Sequence, residues 1–170
     1  MAKHSIINND NIPDELKARN QWVWWRAKPK ADGKSDKIPM DPKNGKAASH
    51  SNPETWTSFE QATQYHESHA NSAGIGFVFS KDDPYVGIDL DNCRDPETGH
   101  IEPWAQEFLE LADTYSEISP SGTGVKMFLK GKMSSEKGRK RAYKTGAVEI
   151  YEHSRFFTVT GRRLGTNDAD

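Results

Sequence analysis

The stretch Tyr85-Val86-Gly87-Ile88-Asp89-Leu90-Asp91-Asn92 places two carboxylates inside a run that is otherwise apolar. Such a run, bounded by turn residues, predicts a buried strand. Side chains two positions apart in a strand share a face, so Asp89 and Asp91 are expected to leave the sheet together. Burying two neighbouring carboxylates is costly unless a cation neutralises them. The pair therefore suggests Mg²⁺ or Mn²⁺, although a strand that ends in an acidic turn explains the same residues without a metal.

The composition is that of a polar protein with a modest core. The chain has 170 residues, of which 34% are hydrophobic, enough for one domain with its own core. No apolar run approaches the length of a membrane span and no signal-peptide pattern is present, so we expect neither a membrane nor a secreted protein. A single cysteine, Cys93, excludes an intrachain disulfide and a cysteine-rich zinc site. A cytoplasmic location is the simplest expectation.

Charge is distributed unevenly along the chain, although the net charge is only -2. Residues 82–117 contain eleven acidic side chains and one basic one, whereas residues 126–144 contain eight basic and one acidic. This asymmetry predicts one face that holds cations and another that meets phosphates, with an ordinary solvated surface as the alternative.

A second motif, Ser119-Pro120-Ser121-Gly122-Thr123-Gly124, is followed by Lys126. Two glycines allow backbone N–H groups to converge on an anion, hydroxyls add donors, and the lysine adds positive charge. The motif is neither a Walker A loop nor a dinucleotide fingerprint, because the Gly-Lys-Ser/Thr sequence and the third glycine are missing. It predicts either a phosphate-binding loop or a tight hairpin.

A third carboxylate, Glu149, interrupts the strand-like run Val148-Glu149-Ile150-Tyr151 and therefore faces away from its two apolar neighbours. It is either exposed to solvent or a third metal ligand that joins Asp89 and Asp91.

The apolar pattern predicts a chain made mostly of strands, with two longer helices. The helices are expected at 59–69, capped by Ser58, and at 103–113. Residues 74–79 and 85–91 are expected to be antiparallel neighbours, and residues 130–143 a long hairpin or mobile loop. The strands are predicted at 21–26, 36–40, 74–79, 85–91, 115–118, 125–129, 148–151 and 155–160.

Three motifs occur in a fixed order: Val86–Asp91, then Tyr115–Lys126, then Val148–Gly161. In this order they resemble the primase–polymerase domain of the archaeo-eukaryotic primase superfamily, in its phage and plasmid branch. Segments farther upstream, Lys37–Pro42 and Gly74–Phe79 among them, match the same branch. The similarity spans roughly residues 20–163.

The resemblance implies an α+β fold, with an RRM-like mixed or antiparallel catalytic sheet, flanking helices and a small N-terminal α/β module. We expect a disordered arm at 1–11 and a single catalytic domain at 12–163. Within that domain the N-terminal module would cover about 12–72 and the catalytic sheet about 73–163. Residues 164–170 would be a linker towards a C-terminal region.

The resemblance also implies an activity, namely template-dependent nucleotidyl transfer as a DNA primase and DNA polymerase in phage or plasmid replication. The expected partners are a single-stranded or primed DNA template, nucleoside triphosphates and a helicase domain in the same longer chain. The expected location is the cytoplasm of a bacterium or of a phage-infected host cell.

Specific residues match the motifs of that family. Asp89, Asp91 and Glu149 match its catalytic acidic positions and would hold two Mg²⁺ or Mn²⁺ ions. The residues expected to bind the nucleotide are Ser119, Ser121, Gly122, Gly124, Lys126, Arg155 and Lys37. The residues expected to bind nucleic acid are Lys130, Lys132, Lys137, Arg139, Lys140, Arg141 and Lys144.

One departure and several alternatives stay open. The family usually has histidine where this chain has Lys126, a residue that keeps the positive charge but does not titrate near neutral pH. A non-catalytic single-strand-binding module is the main alternative. A polymerase-β-type enzyme is disfavoured because its Gly-Ser element precedes the aspartates, and a rolling-circle nuclease because no His-x-His occurs. A metal-dependent nuclease remains compatible with the carboxylates.

Overall fold

The computed structural model describes residues 4–135 and 137–165, which form a mixed α+β fold. Three α-helices lie in these ranges: α1 (Asp14–Lys17), α2 (Phe59–Ser68) and α3 (Pro103–Ala112). The strands are β1 (Trp22–Pro29), β2 (Ser35–Met40), β3 (Gly74–Phe79), β4 (Tyr85–Asp91), β5 (Tyr115–Ile118), β6 (Val125–Lys130), β7 (Arg139–Tyr143), β8 (Gly146–Tyr151) and β9 (Arg155–Val159). No helix in the described ranges is long and apolar enough to cross a membrane.

The strands form two antiparallel sheets. One has four strands in the order β2-β1-β3-β9, and the other has five in the order β5-β6-β4-β8-β7. Pro39 lies in β2, at an edge, where its missing N–H costs no ladder hydrogen bond. The predicted α+β class is confirmed, and the finer RRM-like arrangement stays a prediction.

The predicted pairing of 74–79 with 85–91 is wrong, because β3 and β4 belong to different sheets. The turn between them is fixed by the buried carboxylate of Asp83. Its Oδ2 accepts hydrogen bonds from Ser80 N and Gln21 Nε2 at 2.8 and 2.7 Å, and its Oδ1 accepts one from Tyr85 N at 2.7 Å. These bonds replace a hairpin ladder and direct the chain from one sheet into the other.

The four-stranded sheet draws on both predicted parts of the domain. Strands β1 and β2 come from before residue 73, and β3 and β9 from after it. Helix α2 covers this sheet, and it begins at the predicted cap, where Ser58 Oγ accepts a hydrogen bond from Gln61 N at 3.2 Å. The proposed N-terminal module therefore shares a sheet with the later segment.

The N-terminal segment differs from the disordered arm that we expected at 1–11. Ser5 N donates to Ala73 O at 2.9 Å, and Asn8 N donates to Thr160 O at 2.8 Å. His66 Nε2 lies 2.7 Å from Ser5 O. These bonds hold residues 4–11 against the ends of β3 and β9, whereas residues 1–3 lie outside the described residues. At the other terminus, residues 166–170 of the predicted linker also lie outside them.

The basic segment 130–143 was expected to be a hairpin or loop, and part of it is a strand. The residues of β7 are all exposed, and they pair with β8 at the edge of the five-stranded sheet. Its sequence, Arg139-Lys140-Arg141-Ala142-Tyr143, has no apolar alternation, so only pairing with β8 makes it a strand.

The two faces of the five-stranded sheet have different partners. Its apolar face, which includes Leu90, Met127 and Val148, packs against α3 through Trp104. The opposite face packs against aromatic side chains of the other sheet. Gly87 is needed there, because a Cβ at this position would lie 2.6 Å from atoms of both Phe79 and Phe157. The side chains that share the face of Gly87 therefore lie between the two sheets.

Candidate active site

A row of five charged side chains crosses this inner face, one from each strand of the five-stranded sheet. The register pairs each member with the next, and residues directly opposite each other in a sheet share a face. The row consists, in order, of Glu117, Lys126, Asp89, Glu149 and Lys140. The register of β4 against β8 thus brings Asp89 and Glu149 together on one face, although 60 positions separate them in sequence.

Asp89 lies at the centre of the row and is bound to a buried lysine. Lys126 Nζ donates to Asp89 Oδ2 at 2.9 Å, and the side chains are only 7% and 13% exposed. The same ammonium lies 4.7 Å from the centroid of the Phe157 ring. The other oxygen, Asp89 Oδ1, is buried and has no hydrogen-bond partner among the described residues. One oxygen of this carboxylate therefore has a hydrogen-bond partner, and the other can still accept a hydrogen bond.

Glu149 and Asp91 form, together with Asp89, a cluster of three carboxylates that is called the acidic group below. Glu149 Oε1 pairs with Lys140 Nζ at 2.6 Å, and the hydrogen bond to Glu149 raises the pKa of Lys140. Asp91 lies two residues beyond Asp89 on the same face. Burial raises the pKa of Asp91, and the negative charges of Asp89 and Glu149 raise it further. The carboxylates thus lie close enough to interact electrostatically.

A cavity of about 350 Å³ opens beside Asp89 and Glu149, between the two sheets, and Asp91 is not among the residues that line it. Strand β9 supplies one wall, including Thr158, whose buried Oγ1 also has no hydrogen-bond partner among the described residues. Strand β2 supplies Lys37. Lys37 is exposed as a residue, but the atoms around its ammonium exclude water and so lower the pKa of Lys37. The positive charge of Lys126 lowers this pKa further, whereas the negative charges of the carboxylates raise it. Arg155 also lines the cavity, with its guanidinium 4.7 Å from the Tyr151 ring centroid.

The acidic group fits a hard divalent cation in its chemistry, since its donors are all carboxylate oxygens. The free and buried Asp89 Oδ1 supports the same fit. Within residues 4–135 and 137–165, however, no three His, Cys, Asp or Glu side chains form a ready metal-binding group. Asp89 and Glu149 instead each turn towards a lysine.

The Ser-Gly motif forms the tight turn between β5 and β6. Ser119 Oγ accepts a hydrogen bond from Gly124 N at 3.0 Å, and Gly122 has a φ of +79°. A Cβ on Gly124 would lie 2.7 Å from Leu90 O, so β4 and this turn approach each other closely only because position 124 has no side chain. Ser121 faces a second cavity of about 630 Å³. The tight hairpin predicted for residues 119–124 is confirmed, and phosphate binding by this loop stays a prediction.

Lys37 connects the two cavities. It lines the 630 Å³ cavity together with Ser121 and Arg162, and it also lines the 350 Å³ cavity beside Asp89. Four of the seven residues expected to bind the nucleotide therefore line one or both cavities, namely Lys37, Ser121, Lys126 and Arg155. Ser119, Gly122 and Gly124 shape the turn from buried positions.

The residues expected to bind nucleic acid do not form one surface. Lys140 points into the site, whereas Arg139 and Arg141 point to the opposite face, since side chains alternate along a strand. Lys130 lies at the far end of β6 and pairs with Glu15 at 2.5 Å. The remaining three, Lys132, Lys137 and Lys144, are exposed in the segments that flank β7.

Sequence reasoning missed three residues around the site. Glu117 is fully buried at one end of the charged row, Thr158 lines the carboxylate cavity, and Arg162 lines the larger one. The pairing of β5 with β6 reveals Glu117, but no local pattern does. Thr158 lies near Asp89 and Glu149 because β9, a strand of the other sheet, forms a wall of their cavity. Arg162 follows β9 and lines the larger cavity instead.

The chain is similar in sequence to a curated phage protein. Over 149 residues the chain is 37% identical to the DNA primase-polymerase of Nitratiruptor phage NrS-1. The match covers 87% of this chain and 20% of that protein, so the chain spans about a fifth of the relative's length. No protein-family model matches the chain.

This homology confirms the resemblance that the ordered motifs predict. The chain is homologous to part of that phage DNA primase-polymerase, and the matched region includes most of its own length.

Proposed function

We propose that this domain is a nucleotidyltransferase that extends a nucleic acid chain on a DNA template during phage or plasmid replication. The observation that carries the proposal is the cross-strand pairing of Asp89 with Glu149, with Asp91 on the same face of the sheet. Asp89 and Glu149 line a cavity together with Lys37, and Lys37 also lines a second cavity, which Ser121 faces. Acidic and basic groups are both needed where a metal-bound triphosphate reacts. The name of the phage relative supports the same activity.

The residues of the site would have different roles in such a reaction. Asp89, Asp91 and Glu149 would hold two Mg²⁺ or Mn²⁺ ions, and the chemistry that these ions would supply is activation of the primer 3′-hydroxyl and neutralisation of charge on the leaving pyrophosphate. Lys37 and Arg155 line the cavity and would orient the triphosphate by their positive charge. The free Oγ1 of Thr158 can donate a hydrogen bond to an oxygen of the substrate. A helicase in the same polypeptide stays a prediction.

Primer extension tests the proposal directly. On a primed single-stranded template with deoxynucleotides and Mg²⁺ or Mn²⁺, the wild-type domain is expected to extend the primer. Asp91→Asn and Glu149→Gln should each lower the initial rate about 100-fold or more, because each removes a negative charge on which the reaction depends. Asp82→Asn, at an exposed position before β4, is the matched control and should extend at the wild-type rate.

A non-catalytic single-strand-binding module is the second candidate, favoured by the lysines that already neutralise Asp89 and Glu149. Wild-type protein that binds the template in a salt-dependent manner, yet extends no primer with either metal, would overturn the catalytic proposal for this domain and support the binding module.

Template binding is expected to depend on the exposed arginines of β7. Arg139 and Arg141 share a face with Tyr143, which is 40% exposed, so phosphates and a stacked base could be bound side by side. Arg139→Ser/Arg141→Ser should weaken binding to single-stranded DNA. It should also make the slope of log K against log salt about 1.4 less steep, since each phosphate contact contributes about 0.7.

Fluorescence anisotropy over a range of salt concentrations measures this slope. Lys130→Ser is the control, because Lys130 already pairs with Glu15 at the other end of the sheet. An equal loss of affinity in both variants would show that β7 has no special part in binding.

A further inference from the structure

Lys126 stands out among the cations of the site because it is buried and bound to a predicted metal ligand. Its ammonium lies 2.9 Å from Asp89 Oδ2, and its side chain is only 7% exposed. Lys140 makes a similar contact with Glu149, but its own side chain is 62% exposed. An exposed lysine can exchange its partner for water at little cost, whereas a buried one cannot.

The surroundings of Lys126 hold its ammonium at Asp89. The next carboxylate in the row on its other side is Glu117, whose oxygens already accept hydrogen bonds from Tyr115 Oη, Thr160 N and Gly161 N. The Phe157 ring lies 4.7 Å away and offers an attractive but uncharged surface. Asp89 is therefore the partner for this charge that is least satisfied by other groups.

A divalent cation that binds Asp89 would meet this ammonium at close range. The repulsion between a doubly and a singly charged cation is twice that of two single charges at the same distance, and burial weakens its screening. The ammonium must move away or the metal must bind weakly. A triphosphate changes this balance, because its several negative charges give the ammonium a new partner.

We propose that Lys126 is a tethered cation that keeps the affinity of the carboxylates for divalent metal low until a nucleoside triphosphate binds. This inference rests on the proposed function and deepens it. Metal alone then binds weakly, and metal and nucleotide bind cooperatively. Lys126 has this effect through Asp89, so it is a positioning residue for the metal site.

Binding of Mn²⁺ without nucleotide tests the proposal, with free Mn²⁺ followed by electron paramagnetic resonance. Lys126→Met removes the charge and keeps an unbranched side chain, and it is expected to bind Mn²⁺ about tenfold more tightly than wild type. Lys126→Arg keeps the charge and should remain as weak as wild type. Lys140→Met is the matched control, because Lys140 pairs with a neighbouring carboxylate but is exposed. Its affinity for Mn²⁺ should differ from that of wild type by less than about threefold, since an exposed ion pair contributes little free energy.

Thermal unfolding gives a second readout that does not require equal stability of the variants. A ligand that binds only the folded state raises the melting temperature of the protein, and at a given ligand concentration the rise grows with the logarithm of the affinity. Saturating Mn²⁺ should therefore raise the melting temperature of Lys126→Met by more than that of wild type. Unchanged or weaker Mn²⁺ binding by Lys126→Met in both measurements would overturn the proposal.

The two proposals fail in distinguishable ways. Wild-type protein that extends primers, together with unchanged Mn²⁺ affinity in Lys126→Met, would overturn the tethered cation and leave the activity in place. Tighter Mn²⁺ binding by Lys126→Met, in a wild-type protein that extends no primer, would support the tethered cation and overturn the catalytic proposal.

Discussion

Asp89→Asn is expected to abolish primer extension and also to destabilise the domain. The rate should fall about 1000-fold, because the central carboxylate of the acidic group loses its charge. The free energy of unfolding should fall by about 3 kcal/mol, since the substitution leaves the buried ammonium of Lys126 without a counter-charge. Initial rates of extension and urea denaturation measure the two effects separately.

A second substitution separates stability from activity. In Asp89→Asn/Lys126→Met the unpaired charge is gone, so the double variant should recover stability relative to Asp89→Asn while extension stays absent. If the losses of stability in the two single variants simply added in the double variant, Asp89 and Lys126 would not be coupled. Asp82→Asn, an exposed acid on the turn before β4, should change stability by less than about 0.5 kcal/mol.

The strands that build the site could be predicted from sequence because their signals are local. The apolar alternation of 85–91 predicts both the strand and the shared face of Asp89 and Asp91, and the structure agrees on both points. Glu149 follows from the same rule in β8. The face of a side chain depends only on its position within its own strand, so no knowledge of the partner strand is needed.

Other features depend on contacts between distant parts of the chain. The pairing of β3 with β1 and β9 could not be predicted, since a short polar turn is equally compatible with a hairpin and with a crossing between sheets. The contact between Lys126 and Asp89 requires the register of β4 against β6, which neither strand encodes alone. Long-range register therefore decides which charges of the site neutralise each other.

Glu117→Ala is expected to destabilise the domain strongly, although Glu117 does not line the cavity of Asp89 and Glu149. Glu117 is completely buried, and it accepts hydrogen bonds from Tyr115 Oη at 2.7 Å, Thr160 N at 2.8 Å and Gly161 N at 3.0 Å. Burial raises the pKa of Glu117, while these hydrogen bonds oppose the rise. Removing the carboxylate leaves two buried backbone donors and the half-buried Tyr115 hydroxyl without their acceptor, which should lower the free energy of unfolding by about 4 kcal/mol.

The position of Glu117 explains why removing its carboxylate would also affect the cavity beside Asp89. The residue belongs to β5, but its backbone donors lie directly after β9, so the carboxylate ties the five-stranded sheet to the edge strand of the other sheet. Strand β9 supplies the cavity wall that faces Asp89, through Phe157 and Thr158. Glu110→Ala, at an exposed position on α3, is the control and should unfold like wild type. A Glu117→Ala variant that unfolds at the same denaturant concentration as this control would show that the two sheets are held together without the buried carboxylate.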